Sequence, residues 1–233
     1  MRFLMWIVVH AIIVVSPLDA KAEQALSWQA EAQRYVELTQ QMYEGKASDR
    51  GVAIEQHRLH QELEQKLAQA TGPSKRNWQK MVQSSDPLQR KMALVLAIAK
   101  QSRDPDYIRV VIDGYASETD KMTKFYTHRL LGYQTDKDLK QFQHAIIKMM
   151  HTDTSDELRM AGLSTLLKLD SAVSYPMLLR YVETGSKGLV RYTYYTLRSS
   201  GDRPLDQLIQ ELFKKDNRKV LAMFDSFEKD LQE

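Results

Sequence analysis

The stretch from Thr154 to Val182 reads TSDELRMAGLSTLLKLDSAVSYPMLLRYV, and its pattern is that of two short helices joined by a turn. Thr154 followed by Glu157 has the form of a capping box, which predicts that the first helix starts there. Pro176 predicts the first turn of the second helix, because a residue in that turn needs no backbone N–H. Apolar residues recur at steps close to three and four, as on one helical face: Leu158, Ala161, Leu163, Leu166 and Leu169. Two such helices cannot bury their apolar faces alone, so the unit needs stacking partners.

Similar units are found when this pattern is moved along the chain. A shift of 36 residues toward the N-terminus aligns Met122 with Leu158. A further shift of 32 residues aligns Arg90 with Met122, and a shift of 31 residues in the other direction aligns Leu189 with Leu158. A period that varies between 31 and 36 residues is expected of helical repeats whose loops differ in length. The sequence therefore predicts about four stacked helical hairpins.

Two segments resemble the start of the first helix in HEAT-like repeats. They are DPLQRKMA at Asp86–Ala93 and DELRMA at Asp156–Ala161, in which an acidic cap precedes an apolar residue, an arginine and an alanine. The resemblance covers residues 84–216, and it is weaker in the second unit, with Phe125 at the alanine position, and in the fourth, with Tyr192 near it. Tetratricopeptide arrays have a similar period, but their Trp, Gly and Tyr pattern is missing. The resemblance implies an all-α protein, a curved right-handed α-solenoid of about four hairpins that binds a partner, without implying a particular ligand.

A helical hairpin is predicted ahead of the repeats. Residues 24–45 are expected to form one helix and residues 52–70 the return helix. The apolar face of the first helix is expected to hold Trp28, Ala32, Tyr35, Leu38 and Met42. The hairpin is interpreted as a cap on the N-terminal end of the array, because terminal units of solenoids are atypical, with a coiled-coil arm for a partner as the alternative.

Breaks in the pattern divide the chain. The turn residues TGPS at 71–74 separate the N-terminal cap, residues 23–74, from a repeat domain at residues 75–233. Asp216 and Asn217 precede a last helix, which is predicted to close the C-terminal end of the array with Val220, Met223, Phe224 and Phe227.

The N-terminal segment, residues 1–22, is predicted to be a signal peptide. Arg2 supplies a positive start, an apolar run follows at residues 3–15, and AKA at residues 20–22 has the form of a cleavage site. The run is shorter than the about 20 residues that a membrane-spanning helix needs, so cleavage after Ala22 is expected, with an uncleaved anchor as the alternative. The chain has no cysteine, which excludes disulfides and a cysteine-linked lipid anchor. We therefore expect a periplasmic or secreted protein.

Composition and motifs argue against catalysis. The net charge of +3 is small for a nucleic-acid-binding protein. The sequence has no G-x-S-x-G elbow, no H-E-x-x-H pair, no phosphate-binding glycine loop and no cysteine nucleophile. GSKG at residues 185–188 looks like a phosphate loop, but it follows a predicted helix, so it is interpreted as a helix C-cap and a turn. No cofactor is predicted, and the chain is not expected to be an enzyme.

Histidines are the residues of this chain best suited to bind a metal. His57 and His60 are one helical turn apart, with Glu64 a turn further on, a combination that zinc sites use. The same helix is rich in polar residues, so these side chains are interpreted as a solvated face and no metal site is predicted. Three more histidines lie in different units and are interpreted as ordinary surface or groove residues: His128, His144 and His151.

One patch on the first helix of the fourth unit is a candidate partner-binding face. Its residues follow one helical face and are Arg191, Tyr194, Tyr195 and Arg198. Tyrosine and arginine are enriched where proteins bind partners. This face points outward if the inward-facing residues of the helix are Leu189, Tyr192, Thr193 and Thr196. Alternatively, the tyrosines fill gaps between repeats and the arginines are solvated. A second basic cluster is interpreted as a solvated helix boundary: Lys214, Lys215, Arg218 and Lys219.

These features predict a function and leave two alternatives. The leading hypothesis is an exported, non-catalytic scaffold or adaptor of the cell envelope, which binds another protein or an envelope polymer. The first alternative is an all-helical envelope enzyme acting on cell-wall glycan, which would need an acidic residue placed in a groove. The second is a nucleic-acid-binding HEAT-like protein, although export and the small net charge argue against it.

Overall fold

The computed structural model describes residues 17–43, 50–69, 74–100 and 104–231. Within these ranges the chain forms helices and no strand, which confirms the all-α prediction. Most of the predicted signal peptide, residues 1–16, lies outside the described ranges.

Thirteen helices are present in the described ranges, and their bounds follow chain order. They are α1 (Pro17–Tyr43), α2 (Arg50–Gln69), α3 (Lys75–Val82), α4 (Pro87–Ala99), α5 (Pro105–Tyr115), α6 (Lys121–Gly132), α7 (Asp136–Lys140), α8 (Gln143–Met150), α9 (Asp156–Leu166), α10 (Ser171–Thr184), α11 (Lys187–Ser199), α12 (Asp202–Lys214) and α13 (Arg218–Asp230). Asp86 and Asp104 cap α4 and α5, and each is followed by a proline in the first turn, which needs no backbone N–H there.

The helices pack in two rows. In the first row α4, α6, α9 and α11 lie side by side in that order, and α13 packs on α11. In the second row α5 contacts α8, α8 contacts α10, and α10 contacts α12. The apolar side chains between the rows belong to one continuous core. The first row is the one that carries the candidate site.

Two local predictions about the central unit are wrong. The cap of α9 is Ser155 rather than Thr154, and the Ser155 hydroxyl accepts from the backbone N–H of Leu158 over 3.4 Å. The following helix begins at Ser171, so Pro176 lies inside α10 and not in its first turn. The reason is that the Asp170 carbonyl accepts hydrogen bonds from the backbone N–H groups of Val173 and Ser174, at 2.9 and 3.0 Å. These bonds form the first turn of α10, which lies N-terminal to Pro176.

The N-terminal hairpin packs on the first row at α4, which contacts both α1 and α2. Ala32, Tyr35 and Leu38 are buried as predicted, whereas Met42, in the last turn of α1, is exposed against prediction. The side chain of Trp28 lies outside the described residues. Next along the chain, α3 inserts the buried Trp78, whose indole N–H donates to the Ala93 carbonyl over 2.7 Å.

The contact between α6 and α9 is close because of two residues. Gly132 ends α6, and a Cβ at this position would lie 2.5 Å from the Ser164 hydroxyl, so glycine lets the two helices approach. Lys168 extends from the end of α9 and donates to the Gly132 carbonyl and, over 2.7 Å, to the Gln134 carbonyl. A lysine at the C-terminal end of α6 satisfies carbonyls that have no partner within the helix.

Candidate binding groove

An open groove of about 570 Å³ lies on the outer face of α6, α9 and α11. Two large aromatic side chains stand in it with half of their surface exposed, Tyr133 at 48% and Tyr192 at 47%. Phe125 and Met160 are half-buried between them and the core. The groove is lined by Phe125, Arg129, Gly132, Tyr133, Glu157, Met160, Ala161, Ser164, Tyr192 and Thr196.

The cation of the groove is Arg129, in the last turn of α6. One terminal nitrogen of its guanidinium, Nη1, donates to the Tyr35 hydroxyl of α1 over 3.1 Å, and Nη2 lies 3.4 Å from the Tyr133 hydroxyl. Burial acts to lower the pKa of Arg129, but these two tyrosines outweigh it and the pKa is raised. Arg129 therefore carries a full positive charge at the edge of an apolar groove.

The predicted patch on α11 faces α13 instead of the solvent. Tyr194 is only 3% exposed, its hydroxyl donates to Glu228, and its ring centroid lies 5.0 Å from that of Phe224. Burial, together with the hydrogen bond to the Glu228 carboxylate, raises the pKa of Tyr194 to about 12. This side of α11 is covered because α13 has an apolar face that must be buried against something.

The two arginines of the same patch lie at the rim of this contact. Arg191 lies 3.8 Å from the Asp230 carboxylate and 5.5 Å from the centroid of the Tyr195 ring, and Arg198 lies 3.5 Å from the Glu228 carboxylate. Both ion pairs are largely solvated, so they add little to stability.

The expectation that Tyr192 faces inward is wrong. It follows from the covered position of Tyr194 that the opposite side of α11 is the free one, and Tyr192 and Thr196 line the groove there. Leu189 is buried as expected. Aromatic residues occur on both sides of α11, so spacing along one helix could not distinguish the two sides.

The other polar motifs have structural roles. Gly185 ends α10, and Ser186 caps α11 by accepting from the N–H of Leu189 over 3.3 Å, so the GSKG segment is a cap and turn as predicted. In the second basic cluster Lys214 and Lys215 pair with acidic side chains, Glu211 at 2.6 Å and Glu183 at 3.2 Å.

The two histidines of α2 have different partners. His60 is 3.2 Å from the Glu64 carboxylate and stacks near the Tyr35 ring, whereas His57 is exposed and contacts Gln61. Burial lowers the pKa of His60 more than the Glu64 charge raises it. Across the described ranges, no cluster of three or more histidine, aspartate or glutamate side chains is arranged to hold a metal ion.

A buried polar cluster, which sequence reasoning missed, is formed by Tyr115, His128 and Asp153. His128 was expected at the surface or in a groove, but its exposed fraction is 0%. Its Nε2 lies 3.0 Å from an Asp153 carboxylate oxygen and 2.8 Å from the Tyr115 hydroxyl, which also donates to Asp153. The three residues come from α5, α6 and the loop before α9, and no spacing in the sequence relates them.

The protonation of this cluster follows from its contacts. The hydrogen bond of His128 Nε2 is with the Tyr115 hydroxyl, whose own proton goes to Asp153, so Nε2 carries the proton and the phenol oxygen accepts it. The nearby Asp153 oxygen makes only an electrostatic contact with the ring, and Nδ1 has no hydrogen-bond partner within the described structure. Burial and the nearby Asp153 charge raise the pKa of Tyr115 well above its ordinary value, so the phenol keeps its proton and donates it. All three side chains are buried, Tyr115 at the wall of a cavity between α4, α5 and α6, and the cluster connects these helices to the loop before α9.

Gly162 of α9 makes room for the histidine ring. A Cβ at position 162 would lie 3.2 Å from His128 Nδ1 and 3.2 Å from the terminal methyl group of Met150. Gly162→Val is expected to lower the free energy of unfolding by about 2 kcal/mol through overpacking. The measurement is urea denaturation, with Gly114→Val as the matched control, because no atom lies within 4 Å of a Cβ there. Equal effects of the two substitutions would contradict the packing account.

A second cavity, of about 560 Å³, lies between α4, α5 and α6. Inside it, Arg90 binds Glu118 through two hydrogen bonds of 2.6 and 2.8 Å, which neutralises that carboxylate. Asp113, on the same wall, has no ion-pair partner among the residues that the structure describes. The cavity is rich in hydroxyl groups: Ser84, Ser85, Ser117, Thr119, Thr123 and Thr127.

Comparison of the chain with models of protein families, with curated proteins and with solved structures found no match. Within the described part of the chain, no helix combines the length and the hydropathy that crossing a lipid bilayer requires.

Proposed function

We propose that this chain is an exported, non-catalytic scaffold that binds a segment of another protein in the groove on α6, α9 and α11. The observation that carries the proposal is the pair of half-exposed tyrosines, Tyr133 and Tyr192, which stand over a half-buried apolar floor. Partner-binding surfaces combine apolar area with a polar rim, and tyrosine and arginine contribute most to their affinity.

The proposed architecture is a HEAT-like α-solenoid of about four hairpins. The pairs would be α4 with α5, α6 with α8, α9 with α10, and α11 with α12. Support comes from the order of contacts, because each first-row helix packs on the next one and each second-row helix does the same. The hairpin of α1 and α2 would cap one end of the array and α13 the other. Export to the periplasm or outside the cell is proposed from the segment at residues 1–22.

Capture of a partner tests this function. The full chain would be purified from the cells that make it and immobilised for affinity capture from a native envelope extract. A Tyr133→Ala/Tyr192→Ala variant would be used in parallel. The expected result is a discrete protein that the unchanged chain retains and the groove variant loses, because the two rings supply the central apolar contact. Phe213→Ala is the matched control, since Phe213 is 66% exposed on α12 and does not line the groove.

A second variant distinguishes the groove from the patch on α11. Loss of the captured protein in an Arg191→Ala/Arg198→Ala variant, with the groove variant unaffected, would move the binding face to the arginines at the rim of α13. Equal loss in all variants, including the Phe213 control, would overturn a specific binding face altogether.

One observation favours an envelope enzyme as a second candidate. The hydroxyl-rich cavity between α4, α5 and α6 contains Asp113, a carboxylate that a sugar substrate could reach. A glycoside hydrolase uses a pair of carboxyl groups, and the other carboxylate of this cavity, Glu118, is bound by Arg90. Loss of a wall-cleaving activity in Asp113→Asn would establish the enzyme, so this variant is included in any assay on wall glycan.

A further inference from the structure

We propose that Arg129 is a carboxylate-binding position in the groove, and that the groove's partner is an amphipathic helix carrying an Asp or Glu on its apolar face. This inference rests on the proposed function and specifies the chemistry of the partner. Two observations support it: the Arg129 guanidinium has no carboxylate partner among the described residues, and α1 packs as a helix on the same row.

Among the described residues, no acidic side chain neutralises the charge of Arg129. No carboxylate of the described residues lies within ion-pairing distance of it, and its contacts are the hydroxyls of Tyr35 and Tyr133. Glu64, on the neighbouring helix α2, pairs with His60 instead. A guanidinium has five N–H donors, and the two hydroxyl contacts leave donors free for a ligand.

Capping of α6 does not explain this arginine. The carbonyls at the end of α6 are bound by Lys168, so the guanidinium is not needed there. The other charge in the groove, Glu157, lies in the first turn of α9, where the positive end of the helix dipole favours an acidic side chain. Arg129 is therefore the one cation of the described groove lining, and no described carboxylate pairs with it; a carboxylate is the group that matches its planar fork.

The helical form of the partner follows from α1. This helix lies on α4, the first-row neighbour of α6, and buries one apolar face against it. Its Tyr35 contacts Arg129 and lies near the ring of Tyr126 of α6, so α1 borders the groove. A second helix placed beside α1 would continue the same layer over α6, α9 and α11.

The three helices α6, α9 and α11 together form a face wide enough to hold a further helix. Packed helix axes are about 8–10 Å apart, so three neighbouring helices present a strip of about 20 Å. A helix with its side chains is about 10–12 Å wide, and its apolar residues would lie against Tyr133, Tyr192 and Met160. An acidic residue one turn from an apolar anchor could then reach Arg129, as in other helix-in-groove complexes with i, i+3 and i+4 anchors.

The test uses displayed helices as probes. A yeast-displayed library of helices about 20 residues long would vary the apolar positions and restrict one central position to Asp, Glu, Asn or Gln. The full chain, purified as the cell processes it, is the bait. Each enriched acidic helix is then synthesised together with a copy in which the amide replaces the acid, and both are titrated by fluorescence anisotropy.

The expected result is a preference that depends on Arg129. The unchanged protein should bind the acidic helix about tenfold more tightly than its amide copy, since a hydrogen-bonded charge pair is worth about one power of ten in affinity. Arg129→Gln should abolish the preference, Arg129→Lys should keep part of it, and Tyr192→Ala should weaken both helices equally. The ratio of two affinities on one protein does not depend on the fraction of that protein that is folded.

The outcomes that overturn the inference differ from those that overturn the proposed function. Helices that bind without an acid preference, or with one that persists in Arg129→Gln, would overturn the role of Arg129 and leave the groove as the binding site. Enrichment of no helix at all would overturn the helical partner, and with a failed capture experiment it would overturn the groove as well.

Discussion

Deleting α13 is expected to lower the free energy of unfolding by about 5 kcal/mol, from the burial of three large side chains at about 1.5–3 kcal/mol each. Val220, Phe224 and Phe227 are buried against α11 and α12, and deletion also exposes Tyr194. At roughly 2–4 °C per kcal/mol for a chain of this size, the melting temperature should fall by roughly 15 °C. Thermal unfolding of a chain that ends at Asp216, followed by circular dichroism, measures the fall in melting temperature. Increased binding of a hydrophobic dye would show that the face of α11 and α12 beneath α13 has become exposed.

A milder change keeps this test valid if the shortened chain does not fold. Phe224→Ala/Phe227→Ala retains the helix but removes its largest contacts with Tyr194, and a buried Phe→Ala change typically costs about 3–5 kcal/mol. Phe213→Ala, at an exposed aromatic position on α12, should change stability by less than about 0.5 kcal/mol. A shortened chain as stable as the whole one would mean that Tyr194 faces solvent and is free to bind a partner.

Asp153→Ala is expected to cost about 2 kcal/mol of stability, since it leaves a buried donor without an acceptor, at about 1–3 kcal/mol. The donor is the hydroxyl of Tyr115, inside the core, and the change also removes the carboxylate that lies 3.0 Å from His128 Nε2. Water cannot replace the carboxylate unless the packing opens. Urea denaturation of the variant and the unchanged chain measures the difference.

A double-mutant cycle separates the polar cluster from simple loss of packing. If Asp153 and His128 act as a pair, the double change should cost about 1–3 kcal/mol less than the sum of the single changes. Tyr115→Phe removes one hydroxyl and should cost about 1 kcal/mol. Asp225→Ala, at an exposed position of α13, is the control and should be nearly neutral. Additive losses across the cycle would show that the cluster is not a unit.

Local features of the sequence predicted most of the helices. Caps such as Asp86 and Asp104, each with proline next to it, act within one turn of the chain, so they can be recognised without knowing the fold. Helical periodicity predicted the burial of Phe224 in the last helix. Cap recognition failed by a residue or more where two caps compete, as for Ser155 beside Thr154, because neighbouring hydroxyls give nearly equal signals.

The sequence by itself therefore determined that this protein is helical and that α4 begins at the Asp86 cap. Only the tertiary structure decided which side of α11 meets α13, so that Tyr194 is buried and Tyr192 is exposed. It also brought His128 to Asp153 and Arg129 to Tyr35, residues that are 25 and 94 positions apart in the chain. The physical reason is the sequence separation of the interacting residues. Caps and helical periodicity are set by neighbours within four residues, whereas these contacts depend on how separate helices stack.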